Sequence, residues 1–99
     1  DRCIAAKLIS PAHENVFHVF PFLTPKRDQL KAFLAENGVG TKIHYFCPPY
    51  LQPCYPEMNH LEFPVAKRIA EEELSLPCNS SLNDEDIIRV SKLINQFLV

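Results

Sequence analysis

The chain has 99 residues, 46% of them hydrophobic and 22% charged, with ten basic residues against twelve acidic ones and a net charge of −2. A chain of that size makes one domain, buries roughly 60–70% of its unfolded surface and needs neither a metal nor a disulfide to hold a core. The charge balance leaves no basic footprint for nucleic acid, and no apolar run approaches the length of a membrane span.

Residues 1–12 carry little pattern. From Asn15 an apolar run rich in Val and Phe reaches Leu23, which predicts a strand covered on both faces. His18 inside it reads as a buried structural histidine, and Pro21 places the strand at a sheet edge or at a non-donating position. Thr24-Pro25 then opens a helix, with Thr as cap and Pro at the first helical position, where a missing N–H costs nothing. Leu30, Phe33 and Leu34 form its apolar stripe, and Asn37-Gly38 supplies a left-handed stop.

Residues 40–46 predict a second strand, with Lys42, His44 and Phe46 on one face and Thr41, Ile43 and Tyr45 on the other. A loop over 47–62 follows, at about 15 residues the upper end of ordinary and usually functional at that length. Together with the strand end it carries three Tyr, two His, two Cys and four Pro. A stiff loop that displays rings and hydrogen-bonding tips is costly to leave exposed, so it should cover a partner domain, a subunit or a ligand.

Pro64 begins a further helix with Val65, Ala66, Ile69 and Ala70 facing inward, and the acidic run Glu71-Glu72-Glu73 reads as a solvated helix face. Leu74-Ser-Leu-Pro77 is a short extended piece. Asn83 caps the last helix, with acidic residues at 84–86 suiting the positive end of its dipole and Leu82 placed to staple onto Ile87. Ile87, Val90, Ile94 and Phe97 form its buried stripe. The predicted order is β-α-β-loop-α-β-α, an α/β sandwich in which about three helices flank a small sheet.

His44, Cys47, Cys54 and His60 tempt a metal reading, but their spacings match no common zinc pattern and the prolines restrict the loop. Cys47 lies three positions from His44 without an acyl-transfer signature around it, so both loop cysteines read as small hydrophobes. With Cys3 and Cys78 they read as reduced thiols of a cytoplasmic protein. His44-Tyr45 stands apart, because it ends a strand and opens the loop, where side chains are held yet accessible.

Several segments together resemble one family. Asn15-Val-Phe-His-Val-Phe, Arg27-Asp28 with Leu30 and Phe33-Leu34, and Asn37-Gly-Val-Gly-Thr-Lys-Ile-His-Tyr are similar to the C-terminal domain of the DegT/DnrJ/EryC1/StrS aminotransferases. The likeness continues through Pro48-Pro49, Leu51-Gln52, Cys54-Tyr55, Phe63-Pro-Val-Ala66, Glu73-Leu-Ser-Leu-Pro and the last helix, covering about residues 14–98. It implies the small domain of a fold-type-I, pyridoxal-phosphate-dependent enzyme that aminates a keto group on a nucleotide-linked deoxy sugar, and the Pro-Pro and Leu-Gln-x-Cys-Tyr details resemble the branch that acts at the 3-keto position. Amino donor (glutamate), cytoplasmic location and homodimer follow from the same resemblance.

On this reading residues 1–99 are a single domain, the C-terminal piece of a longer enzyme whose large cofactor-binding domain lies outside the chain. None of Lys7, Lys26, Lys31, Lys42, Lys67 or Lys92 sits in a segment resembling the family's cofactor lysine, so the chain alone should hold no pyridoxal phosphate and show no activity. The resemblance implies substrate-binding roles for His44 and Tyr45, matching the family's His-Tyr pair, and for Tyr50, which stands where a second His is usual. Phe46 and Cys47 replace the more usual Pro and aliphatic residue. A sugar dehydratase of the same family and a non-catalytic binding or regulatory module are the alternatives.

Overall fold

The computed structural model describes residues 16–98 and the backbone of residues 4–5. Three strands form one antiparallel sheet: β1 (Ile4–Ala5), β2 (Phe20–Leu23) and β3 (Glu73–Leu76), in the order β1-β2-β3. Three helices accompany it, α1 (Arg27–Glu36), α2 (Pro64–Glu72) and α3 (Asp84–Leu98). The α/β class with a small sheet and three helices is the expected one, but the strands come from different places. β1 lies in the stretch that looked unpatterned, and residues 40–46 contribute only one bridge, Lys42 to Ser75.

β2 is central, so Pro21 does not sit at a sheet edge; it occupies a non-donating position instead. It faces Ser75, whose backbone N–H and C=O are both taken by Lys42 on the far side of β3 (2.7 and 3.2 Å). The Pro21–Ser75 pair therefore exchanges no ladder hydrogen bond, and β3 does not need the missing N–H. The strand begins only at Phe20, which leaves His18 exposed rather than buried.

Phe22 pairs with Leu74 in the sheet, and both join Leu30, Leu34, Val39 and Ile94 in the core. α1 and α3 pack over that face, with the Phe33 and Phe97 rings 5.6 Å apart. The helix ends follow local chemistry closely. Gly38 sits at φ +79° after α1, Val39 N–H reaches the Leu34 carbonyl at 2.8 Å and Gly38 N–H the Ala35 carbonyl at 3.0 Å. This double closure satisfies carbonyls that the helix end would otherwise orphan, and buried Val39 adds the apolar contact that accompanies it.

At the start of α3 the cap is reciprocal. Asp86 N–H donates to Asn83 Oδ1 (2.9 Å), and Asn83 N–H donates to Asp86 Oδ2 (3.1 Å). At α1 the expected cap shifts: Thr24 accepts from Lys26 N–H at 3.2 Å, and Pro25-Lys26 forms a turn ahead of a helix that starts at Arg27.

Two apolar stripes are narrower than expected. Val65 and Ile69 of α2 are exposed and only Ala70 is buried, because α2 runs directly into β3 and meets β2 along one edge. On α3, Ile94 is buried and Val90 and Phe97 pack against the core, but Ile87 is exposed. With Leu82 it lines an open apolar cleft of about 270 Å³.

Candidate functional site

Alternation along β3 puts Leu74 and Leu76 toward the core and Glu73 and Ser75 on the opposite face. Glu73 is only 2% exposed, so its carboxylate must find donors inside the protein. It finds two. The His44 backbone N–H reaches Oε2 at 2.7 Å, and the Ser75 hydroxyl reaches Oε1 at 2.5 Å. The solvated-helix reading of Glu73 is thereby overturned, while Glu72 does stay on the helix, where Arg68 meets it at 3.2 Å.

The same hydrogen bond explains why residues 40–46 form no strand. One bridge at Lys42 is made, and then the His44 donor goes to a side chain rather than to a neighbouring ladder. The chain turns at 44–47, and face alternation ends there, with Tyr45 (72%) and Phe46 (75%) both exposed.

His44 is held from three directions. Its backbone is tied to Glu73, its Nδ1 lies 2.8 Å from the Ser75 Oγ, and its ring meets the Tyr45 ring edge-on at 5.2 Å. The His44–Tyr45 peptide bond is cis. His44 also lines an open cleft of about 350 Å³ whose walls are polar at His18, Thr41, Lys42 and Ser75 and apolar at Val19, Leu76 and Pro77. His18, read from sequence as structural, thus borders the same cleft as His44.

Tyr50 lies elsewhere. It is buried, its ring packs edge-on against Phe63 at 5.0 Å, and it borders a separate cleft of about 380 Å³ with Leu61, Phe63 and Lys67. The structure therefore brings His44 and Tyr45 together and sets Tyr50 into the packing of the loop. That loop is built from two 3-10 turns, Pro49–Leu51 and Pro56–Met58. Asn59 Nδ2 ties it internally, donating to the carbonyls of Tyr50 (2.8 Å), Tyr55 (3.1 Å) and Gln52 (3.3 Å), and Gln52 Nε2 donates to the Cys47 carbonyl at 3.0 Å.

Glu73 and Ser75 are the site residues that sequence reasoning missed. A signal was available: starting the strand one residue earlier puts positions 73 and 75 on one face, opposite Leu74 and Leu76. Cys47, Cys54 and Cys78 are free thiols, with Cys78 donating to the Phe17 carbonyl at 3.3 Å. Among the described residues no three His, Cys, Asp or Glu side chains converge on a point that could hold a metal ion.

Residues 4–95 match the DegT/DnrJ/EryC1/StrS aminotransferase family. The chain belongs to that family. It is 39% identical over 85 residues to a pleiotropic regulatory protein of Geobacillus stearothermophilus, covering 84% of this chain and 23% of the relative. It is 32% identical over 83 residues to dTDP-3-amino-3,6-dideoxy-alpha-D-galactopyranose transaminase of Aneurinibacillus thermoaerophilus, again with 84% and 23% coverage. Among solved structures, the aminotransferase TlmJ of Streptoalloteichus hindustanus superimposes with a TM-score of 0.83 at 26% identity, over 97% of this chain and 26% of that one. The chain thus spans about a quarter of the length of the proteins it matches.

Family membership implies pyridoxal phosphate, and the described lysines do not fit it. Lys31 is committed to the Thr41 carbonyl at 3.1 Å and its hydroxyl at 3.5 Å, while Lys26, Lys42, Lys67 and Lys92 are exposed. None of these five combines a sheltered, free ammonium group with a cradle for a phosphate.

Proposed function

We propose that this chain is the small, sugar-contacting domain of a nucleotide-sugar aminotransferase that acts on a keto group of a nucleotide-linked deoxy sugar, the 3-keto position being favoured by the name of the Aneurinibacillus relative. The observation that carries this reading is the His44–Tyr45 pair, rigidly anchored at His44, which lines an open cleft, and exposed at Tyr45 beside it. A fixed imidazole with a phenol beside it suits hydrogen bonds to sugar hydroxyls or to the diphosphate, and preorganisation of the imidazole lowers the cost of ordering it on binding.

On this reading pyridoxal phosphate is held by a large domain outside the chain, together with the site for an amino donor, glutamate by resemblance. The work of this chain is orientation of the sugar and exclusion of water. Exposed Tyr45, Phe46 and Val65 offer apolar surface for that large domain or for a second subunit of a homodimer. Tyr50 supports the loop from beneath, and its hydroxyl is the third proposed sugar contact. A regulatory role is the second reading, favoured only by the name of the Geobacillus relative. Steady-state kinetics of the cofactor-loaded enzyme with a nucleotide-linked 3-keto sugar separate the two. Loss of sugar affinity in His44→Ala supports the first, and a wild-type enzyme with no transaminase turnover refutes it.

A further inference from the structure

Glu73 and Ser75 are joined to His44 in a way that dictates which ring nitrogen carries the proton. A hydroxyl has one hydrogen and two lone pairs. The Ser75 hydrogen is directed at Glu73 Oε1, 2.5 Å away, because a carboxylate oxygen accepts and cannot return a proton to it. Only a lone pair of Ser75 Oγ is then left for His44 Nδ1 at 2.8 Å, and Nδ1 must be the donor. The other carboxylate oxygen is occupied by the His44 backbone N–H, which keeps the carboxylate from turning away from Ser75. Burial of Glu73 shelters its carboxylate from water that could otherwise replace the Ser75 hydroxyl.

We propose that Glu73 and Ser75 are positioning residues that lock the neutral imidazole of His44 with its proton on Nδ1, so that Nε2 meets the ligand as a hydrogen-bond acceptor. The ligand half of this statement rests on the reading of His44 as a sugar contact. An acceptor at that position matches a hydroxyl of the sugar, which can donate, and mismatches a diphosphate oxygen, which cannot. With the imidazole neutral, the pair thus favours a sugar hydroxyl over a diphosphate oxygen as the group that His44 reads. Specificity of this kind comes as much from the unpaired lone pairs a wrong partner would face as from the bond to the right one.

The test is the tautomer itself, read in the full 99-residue chain by long-range proton–nitrogen correlation of 15N-labelled histidine side chains at alkaline pH. The His44 signals are assigned by their loss in His44→Asn. Wild type is expected to show a protonated Nδ1 and a bare Nε2. Glu73→Gln is expected to invert this: its amide oxygen still accepts the His44 backbone N–H, its NH2 then faces Ser75 Oγ, and the hydroxyl turns to donate to Nδ1. Ser75→Ala is expected to release the lock and give a mixture of tautomers. A wild-type ring protonated on Nε2, or a Glu73→Gln spectrum indistinguishable from wild type, overturns the proposal. Because no sugar is present, the outcome is independent of the functional reading. Unchanged sugar kinetics in His44→Ala would refute that reading while leaving the tautomer lock standing.

Discussion

His44 and Glu73 lie 29 positions apart and are joined by a 2.7 Å hydrogen bond from the His44 backbone N–H to the buried Glu73 carboxylate. This bond ends the extended segment after Lys42, turns the chain into the proline loop and seats the imidazole over Ser75. A side chain at the start of β3 thus decides where the loop begins.

Removing that carboxylate should loosen the loop. Glu73→Ala leaves the His44 N–H without its partner and Ser75 without an acceptor, which should cost about 1–3 kcal/mol, the usual penalty for a buried polar group left unpaired. Urea denaturation measures the loss. An unchanged midpoint would mean that the loop is held by Asn59 and Gln52 alone.

The two isoleucines of α3 should separate sharply. Ile94 is buried in the core, and Ile94→Ala should cost about 2–5 kcal/mol, the range for truncating a buried aliphatic side chain. Ile87 is exposed, and Ile87→Ala should stay within about 0.5 kcal/mol, as for an ordinary surface change. Equal effects in chemical denaturation would place both on the same buried stripe, contrary to the structure.

Gly38 should resist replacement for a backbone reason. Its φ is +79°, and a Cβ there would meet nothing nearer than an Arg89 nitrogen at 4.0 Å, so space is available. The cost of Gly38→Ala is then the left-handed conformation itself, about 1–2 kcal/mol. At Gly40, where no atom lies within 4 Å and φ is not positive, Ala should be tolerated. Comparing the two midpoints isolates the conformational term.

Activity should depend on the ring tips of His44 and Tyr45. In the cofactor-loaded enzyme, His44→Ala or Tyr45→Phe should lower kcat/KM for the nucleotide sugar about tenfold or more, corresponding to about 1–3 kcal/mol of lost hydrogen bonding. Tyr50→Phe discriminates support from contact. Its ring packing on Phe63 is retained, so any loss of kcat/KM reports the hydroxyl alone. Full activity in all three variants would make the trio packing residues.

Short-range features of this chain were legible from its residues. Asn83, the Asn37-Gly38 stop, Pro64 at a helix start and the stripe of Leu30, Phe33 and Leu34 act within a turn or two of themselves, so spacing carries them. The turn that opens the proline loop at His44-Tyr45 was legible only in its place, since the strand expected to lead into it is a single bridge at Lys42. What only the tertiary structure decided depends on partners distant in sequence. Residues 40–46 have the alternation of a strand, yet their pairing stops at Lys42 because Glu73 captures the next backbone donor. Glu73 continues a run of three acidic residues and looks solvated, yet it is buried because β3 begins at that position. Pro21 could mark either a sheet edge or a non-donating position, and it takes the second, on the central strand, because Ser75 opposite it pairs outward with Lys42. Local pattern fixes which groups a segment can offer, and only the assembled sheet determines which of those offers is taken up.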